Sequence, residues 1–284
     1  MNKISQIIAE ELNIRENQVE AAIKLIDEGN TIPFIARYRK EVTGGLSDEV
    51  LRDLGERLTY LRNLEKRKEE VVKSIEEQGK LTEEISKSIE EAKTLAEVED
   101  IYRPYKPKKK TRATVAKAKG LEPLANIIME QKETKPIEEI AKAFVNVDTV
   151  EDDTDKDKIV ANVEEAIGGA LDIIAENISD NPKYRKKIKG ICYREAVINV
   201  KASNPEEKSS YDMYYDFNES IKRLPSHRIL AINRGEKEDF LKVKIDKPED
   251  KILAYIERDI IVGHTQFEDY LKRTIGDSWK RLIE

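Results

Sequence analysis

Apolar residues recur at three- and four-residue spacing along nearly the whole chain, and that period limits the fold class before anything else does. Ile4, Ile7, Ile8 and Leu12 open the pattern, and Val19, Ala22, Ile23 and Ile26 resume it after a break near Asn13. Gly29-Asn30 marks a stop, and Pro33 sits where a first helical turn tolerates proline. Three short helices joined by tight turns, the last carrying Arg37, form either a helix-turn-helix-like unit or an ordinary helical packing unit. From an N-cap at Ser47, with Leu46 able to staple to Leu51, one long helix carries Leu51, Leu54, Leu58, Leu61, Leu64, Val71, Val72 and Ile75 and ends near Gly79. The expected class is therefore all-α, with a helix-turn-helix-like N-terminal part and at most one or two short strands.

Further helices follow. Thr94 and Glu97 have the spacing of a capping box. Leu121 to about Gln131, Pro136 to Phe144, and the stripe Ile159, Val163, Ala166, Ala170, Ile173, Ile174 each read as helix. The Gly168-Gly169 pair inside that stripe costs roughly 1 kcal/mol per glycine relative to alanine, so it is expected to permit a close helix contact. A helix from Pro182 holds Tyr184, Ile188, Ile191 and Cys192 and is expected to run until Asn204-Pro205. Strand character is confined to Tyr211–Phe217 and Leu241–Ile245, with a short helix capped by Gly235 between them. The expected organisation is 1–45 short helices, 46–100 a long-helix hairpin, 101–120 a basic Pro/Lys strap, and 121–284 a second helical region. The last helix reaches Glu284 without a C-cap and carries Trp279 and Leu282, which reads as a cut inside a larger protein.

Composition excludes several classes. Charged residues make up 38 % of the 284, and the net charge is −6, so the chain as a whole is not a generic binder of polyanions. No window approaches the roughly 18 apolar residues of a membrane span, and the acidic start does not suit a signal peptide. One cysteine and two histidines leave no cysteine-based zinc site and no internal disulfide. These point to a cytoplasmic protein. The acidic stretch Asp148–Asp157 lacks the glycine of a calcium loop. No phosphate loop, nucleophile elbow or paired-histidine zinc motif is present. Ser226-His227 reads as a turn, His264 as a helix-end residue, and Cys192 as core. The expectation is no enzyme, no metal and no cofactor.

One segment stands apart. Between Ile101 and Leu121 lie Arg103, Lys106, Lys108, Lys109, Lys110, Arg112, Lys117 and Lys119, with no acid among them. Pro104 and Pro107 favour an extended course, and Tyr102 and Tyr105 are interleaved. Such a strip either neutralises phosphates and offers stacking faces, or bridges to acidic helices while its tyrosines pack inward. A second basic cluster, Arg37, Arg39 and Lys40, either extends a phosphate track or pairs with Glu41, Asp48 or Glu49. The candidate nucleic-acid-binding residues are thus Arg37, Arg39, Lys40, Arg103, Lys106, Lys108, Lys109, Lys110 and Arg112.

Three long stretches carry a resemblance. TIPFIARYRKEVTGGLSDE (Thr31–Glu49), DIYRPYKPKKKTRATVAKAKGLEPLA (Asp100–Ala125) and YYDFNESIKRLPSHRILAINRGEKE (Tyr214–Glu238) resemble the bacterial Tex family of transcription accessory proteins. The resemblance implies a helical N-terminal region that precedes an RNase-H-like domain, a helix-hairpin-helix domain and an OB-fold RNA-binding domain, none of them in this sequence. It implies RNA or DNA and the transcription machinery as partners, and it assigns no catalytic residue here. Two functions remain: an auxiliary nucleic-acid surface, or a docking scaffold for other domains or proteins.

Overall fold

The computed structural model describes residues 3–107, 110–146 and 159–284. Lys108, Lys109 and the acidic stretch Asp148–Asp157 lie outside the described residues. The chain divides into two compact units, Met1–Tyr102 and Arg103–Glu284. Helix dominates both; the described strands amount to one three-stranded sheet.

In the first unit, α1 (Lys3–Leu12), α2 (Glu16–Asp27), α3 (Ile32–Tyr38), α5 (Glu83–Glu91) and α6 (Leu95–Tyr102) all pack on α4 (Asp48–Glu77). Ser47 caps α4 by accepting from the Val50 N–H at 3.2 Å. The buried residues of α4 include Leu51, Leu54, Leu58, Leu61, Leu64, Val71 and Ile75, the periodic stripe of the sequence. Its flanks are laced to its neighbours. Arg57 reaches Glu11 on α1, Arg62 grips Asp27 on α2 at 2.7 and 2.8 Å, and Arg67 binds Glu99 on α6 at 2.6 Å. The Arg62 guanidinium holds the Asp27 carboxyl below its ordinary value. At α6, Glu97 N–H donates to Thr94 while the Glu97 carboxylate accepts from Lys93 N–H, one residue earlier than the usual box.

The second unit is built around α10 (Val163–Asp180). It packs against α7 (Arg112–Ala118), α8 (Glu122–Glu130), α9 (Ile137–Lys142), α11 (Pro182–Glu195) and α14 (Glu268–Ser278). α13 (Glu249–Ile260) joins through α11 and α14. The core includes Leu121, Leu124, Ile128, Ile173, Ile174, Ile256, Phe267, Leu271, Ile275 and Trp279. Trp279, in the last turn after α14, is 2 % exposed; the side chain that the sequence left seeking cover packs within its own unit. Gln131 ties two helix ends together. Its side-chain amide donates to Ile260 O at 2.7 Å and accepts from Val262 N at 3.1 Å.

The sheet differs from the expected count. Its order is β2-β1-β3, all antiparallel, with β1 Val197–Ala202, β2 Asp216–Ser220 and β3 Leu241–Asp246. β1 falls where a helix was expected to continue to Asn204. The helix stops at Glu195, and VINVKA buries Ile198 and Val200 on one face, the alternation of a strand. β2 starts later than expected, because Asp212–Tyr214 forms a 3₁₀ turn. Gly235 is not a cap. It lies inside α12 (Ser226–Lys237), where a Cβ would meet Leu241 Cδ1 at 2.6 Å and Tyr211 Cδ1 at 3.1 Å, so it lets β3 approach the helix. Cys192 is half-buried at the core margin rather than within it. His227 is exposed, and His264 pairs with Glu268 in the first turn of α14 at 3.0 Å instead of serving the end of α13.

Candidate nucleic-acid interface

The basic strap is received by an acidic stripe that composition concealed. Glu165, Asp172, Glu176 and Asp180 recur on α10 at spacings of seven and four, which places them on one face. Arg103 Nε donates to Asp180 Oδ1 at 3.0 Å, and the Asp180 side chain is only 9 % exposed. Thr111 Oγ1 donates to Glu176 Oε1 at 3.0 Å while Thr111 also caps α7 by accepting from Thr114 N–H. Lys119, at the far end of α7, binds Glu165. Gly169 lies on the same stripe. A Cβ there would stand 2.5 Å from Leu121 Cδ1 and 3.2 Å from Ala116 Cβ, so the missing side chain lets α7 come down onto α10. A Cβ on Gly168 would meet nothing within 4 Å among the described residues. The close contact expected of the pair belongs to Gly169.

Beside this junction is a cleft of about 490 Å³. Val115, Ala116, Leu121 and the two glycines supply apolar lining; Lys110, Arg112, Lys119, Glu165 and Asp172 supply both signs of charge. Burial holds the Asp172 carboxyl above its ordinary value, against the pull of Arg281 and Arg112. Arg281 bridges Asp172 at 3.0 Å and Asp277 at 2.6 Å. The Lys119 ammonium and then the Ala161 N–H hold Glu165 below its ordinary value. A carboxylate depressed in the folded state stabilises above its unfolded pKa, and that contribution disappears as pH falls through the folded value. Urea unfolding at pH 7 and at about pH 3 is therefore expected to show an acid loss in the wild type that is smaller in Glu165→Gln. An equal loss in both would remove the tie from the account.

The strap's cations thus split. Arg103 and Lys119 are committed to α10, and Lys110 also has a partner. Lys106, Arg112 and Lys117 are exposed and form no ion pair among the described residues. Tyr102 is not a free stacking face: it is 8 % exposed, hydrogen-bonded to Ser74 at 2.9 Å and covered by Arg67. Tyr105 is half-buried. In the other unit, Arg37, Arg39 and Lys40 are all exposed. None pairs with Glu41, Asp48 or Glu49; Asp48 binds Arg52 at 2.6 Å instead. Sequence reasoning listed the strap's cations but missed their receptors. The signal available was the E-x6-D-x3-E-x3-D spacing from Glu165 to Asp180.

Two family models match this arrangement. The Tex-like protein N-terminal domain matches residues 2–76, and the Tex central region-like model matches 131–284, more than half of the chain. The chain belongs to the Tex family. The Bacillus subtilis (strain 168) protein YdcI is 45 % identical over 99 % of this chain and 38 % of its own length. The transcriptional accessory protein Tex of Neisseria gonorrhoeae is 38 % identical over 99 % of this chain and 36 % of its own. The human S1 RNA-binding domain-containing protein 1 is 29 % identical over 98 % of this chain and 28 % of its own. The chain thus spans little more than a third of the length of these bacterial Tex relatives. The strap lies between the two matched models but within the stretch shared with YdcI. Among the described residues, no helix of this Tex chain is long and apolar enough to cross a membrane, and no cluster of three or more His, Cys, Asp or Glu is placed to hold a metal ion.

Proposed function

We propose that this chain is the non-catalytic helical scaffold of a cytoplasmic Tex-type transcription accessory protein, and that its strap adds an auxiliary, sequence-tolerant contact to RNA or DNA phosphates. The principal nucleic-acid contacts then belong to parts of the longer protein outside this chain. The helix-turn-helix-like trio α1–α3 contributes packing on α4 and the cations of α3. The observation that carries the reading is the split of the strap. Its anchors Arg103, Thr111 and Lys119 are fixed on α10, while Lys106, Arg112 and Lys117 are exposed and make no contact ion pair among the described residues, Arg112 feeling only the more distant charges of Asp172 and Asp277. The relatives' names point the same way, one as a transcriptional accessory protein and one as an S1 RNA-binding protein.

A second reading has its own support. A strap tied to acids at three points is also how an interdomain or partner-docking element is held in shape, with no phosphate involved. Fluorescence anisotropy with labelled single-stranded RNA, single-stranded DNA and duplex DNA separates the two. With three to four phosphates neutralised, affinity for single strands is expected to fall about 20- to 50-fold between about 50 and 200 mM salt. The combined variant Lys106→Gln, Lys110→Gln, Arg112→Gln, Lys117→Gln is expected to weaken binding at low salt and flatten that slope. Unchanged binding in the variant assigns the strap to docking.

A further inference from the structure

Helix α3 buries Ile35 and Ala36 against its unit and turns an unusual group outward. Phe34 is 36 % exposed and Tyr38 65 %, and Val42, in the turn beyond the helix, is 54 %. The two rings stand one helical turn apart, with centroids 5.2 Å apart and planes tilted by 45°. The Arg39 guanidinium lies over the Phe34 ring, 5.4 Å from its centroid, and donates to the Tyr38 carbonyl at 3.3 Å. Arg39, Phe34 and Tyr38 therefore form a braced stack that leaves most of the tyrosine open to solvent. Arg37 and Lys40 flank it, exposed, and none of the three cations has an ion-pair partner among the described residues.

Single exposed apolar residues are ordinary; a braced aromatic pair ringed by uncompensated cations is a narrower chemistry. An apolar protein partner would cover Tyr38 at the cost of desolvating three cations without counter-charge. A nucleic acid brings a flat apolar base and the anions beside it in one ligand. The helix is seven residues long, roughly 10 Å, the span of one or two unstacked bases, and a single strand offers an open base face to Tyr38 where a duplex keeps its faces stacked on one another.

We propose that α3 is a base-stacking platform for single-stranded nucleic acid, with a base seated on Tyr38 and the flanking phosphates taken by Arg37, Arg39 and Lys40. The site is built from residues of the 1–102 unit, whereas the strap's cations belong to the 103–284 unit. It adds a preference that phosphate contacts alone cannot supply, because only a base stacks.

The test uses the 284-residue chain and four labelled probes of about fifteen nucleotides: oligo(dT), oligo(rU), an abasic deoxyribose-phosphate chain of equal length, and a duplex. The wild type is expected to bind oligo(dT) and oligo(rU) more tightly than the abasic chain or the duplex. Tyr38→Ala is expected to erase that margin, roughly ten-fold, while leaving abasic affinity unchanged. Tyr38→Phe keeps the margin, and Tyr38→Leu, apolar but without a ring, loses it. Arg37→Gln, Arg39→Gln, Lys40→Gln together weaken every probe. Because the tyrosine is exposed, circular dichroism of its variants should match the wild type. The proposal is overturned by a wild type with no margin over the abasic chain, by a margin that survives Tyr38→Ala, or by one that survives Tyr38→Leu, which would assign the patch to apolar docking of a protein. The strap variant should leave the margin intact, so failure of the strap reading and failure of this one are seen in different measurements.

Discussion

Trp279→Ala is expected to cost the 103–284 unit about 3–5 kcal/mol, the usual range for emptying a large aromatic site in a packed core. The indole is 2 % exposed and belongs to the cluster that joins α10 to α14, with the Lys247 ammonium 5.8 Å from the ring centroid. For a unit of this size the loss corresponds to roughly 10 °C in Tm. Its Nε1 is buried and has no acceptor among the described residues. Trp279→Phe therefore discards an unsatisfied donor together with part of the ring, and is expected to cost less than half as much as alanine. This is the only tryptophan, so the readout is hydrogen exchange rather than its fluorescence. Amides of α10 should lose protection in Trp279→Ala, while those of α4, in the other unit, keep theirs. Full protection of α10 in the alanine variant would mean that the tryptophan is not part of the core.

Two adjacent glycines are expected to respond with opposite signs. Gly169→Val drives a branched side chain into Leu121 and Ala116, both nearly fully buried, and should destabilise by about 1–3 kcal/mol as overpacking does. Gly168→Ala adds a methyl to open space in a helix interior and should stabilise by up to about 1 kcal/mol. Urea midpoints of the two variants and the wild type decide the matter. A Gly169→Val variant as stable as the wild type would mean that α7 does not rest on α10 as described, and a destabilised Gly168→Ala would mean that its surroundings are not open. The valine variant carries a second expectation: by lifting α7 it should loosen the Thr111–Glu176 and Lys119–Glu165 ties, and with them the anchorage of the strap.

Periodicity made most helices legible, because an apolar stripe at helical spacing has few other uses. α4 is the clearest case, from its Ser47 cap to its end before Gly79. β1 was hidden for a physical reason. It follows α11 with a single intervening residue, Ala196, so the helical pattern ran on into VINVKA. Its β-branched alternation was present but spans six residues, and its stability comes from partners at 216–220 and 241–246 that no local window includes. Gly235 misled for a related reason. A glycine near a helix end has two explanations, a cap or a close approach, and only the position of Leu241 decides between them. At the candidate site, charge type was legible and pairing was not. Arg103 and Asp180 are 77 residues apart, and nothing local distinguishes a lysine destined for Glu165 from one left in water.

The closure of the second core by Trp279, and the Gln131 amide that joins the ends of α8 and α13, have a consequence for synthesis. The contacts of the 1–102 unit need only the first hundred or so residues, and its frame is one long helix with its near neighbours. That unit can fold while the ribosome is still making the rest. The other cannot: α7, α8 and α9 are made before α10 and can cover one side of it, but the side that receives α14 stays exposed until Phe267, Leu271, Ile275 and Trp279 emerge, more than eighty residues after the helix itself. At about 5–20 residues per second that is an interval of several seconds. During it, an unsealed Ile- and Leu-rich surface stands beside the ribosome. A chain interrupted between the end of α10 and residue 267 would carry a finished first unit and a sticky second one, which is the form a chaperone would meet.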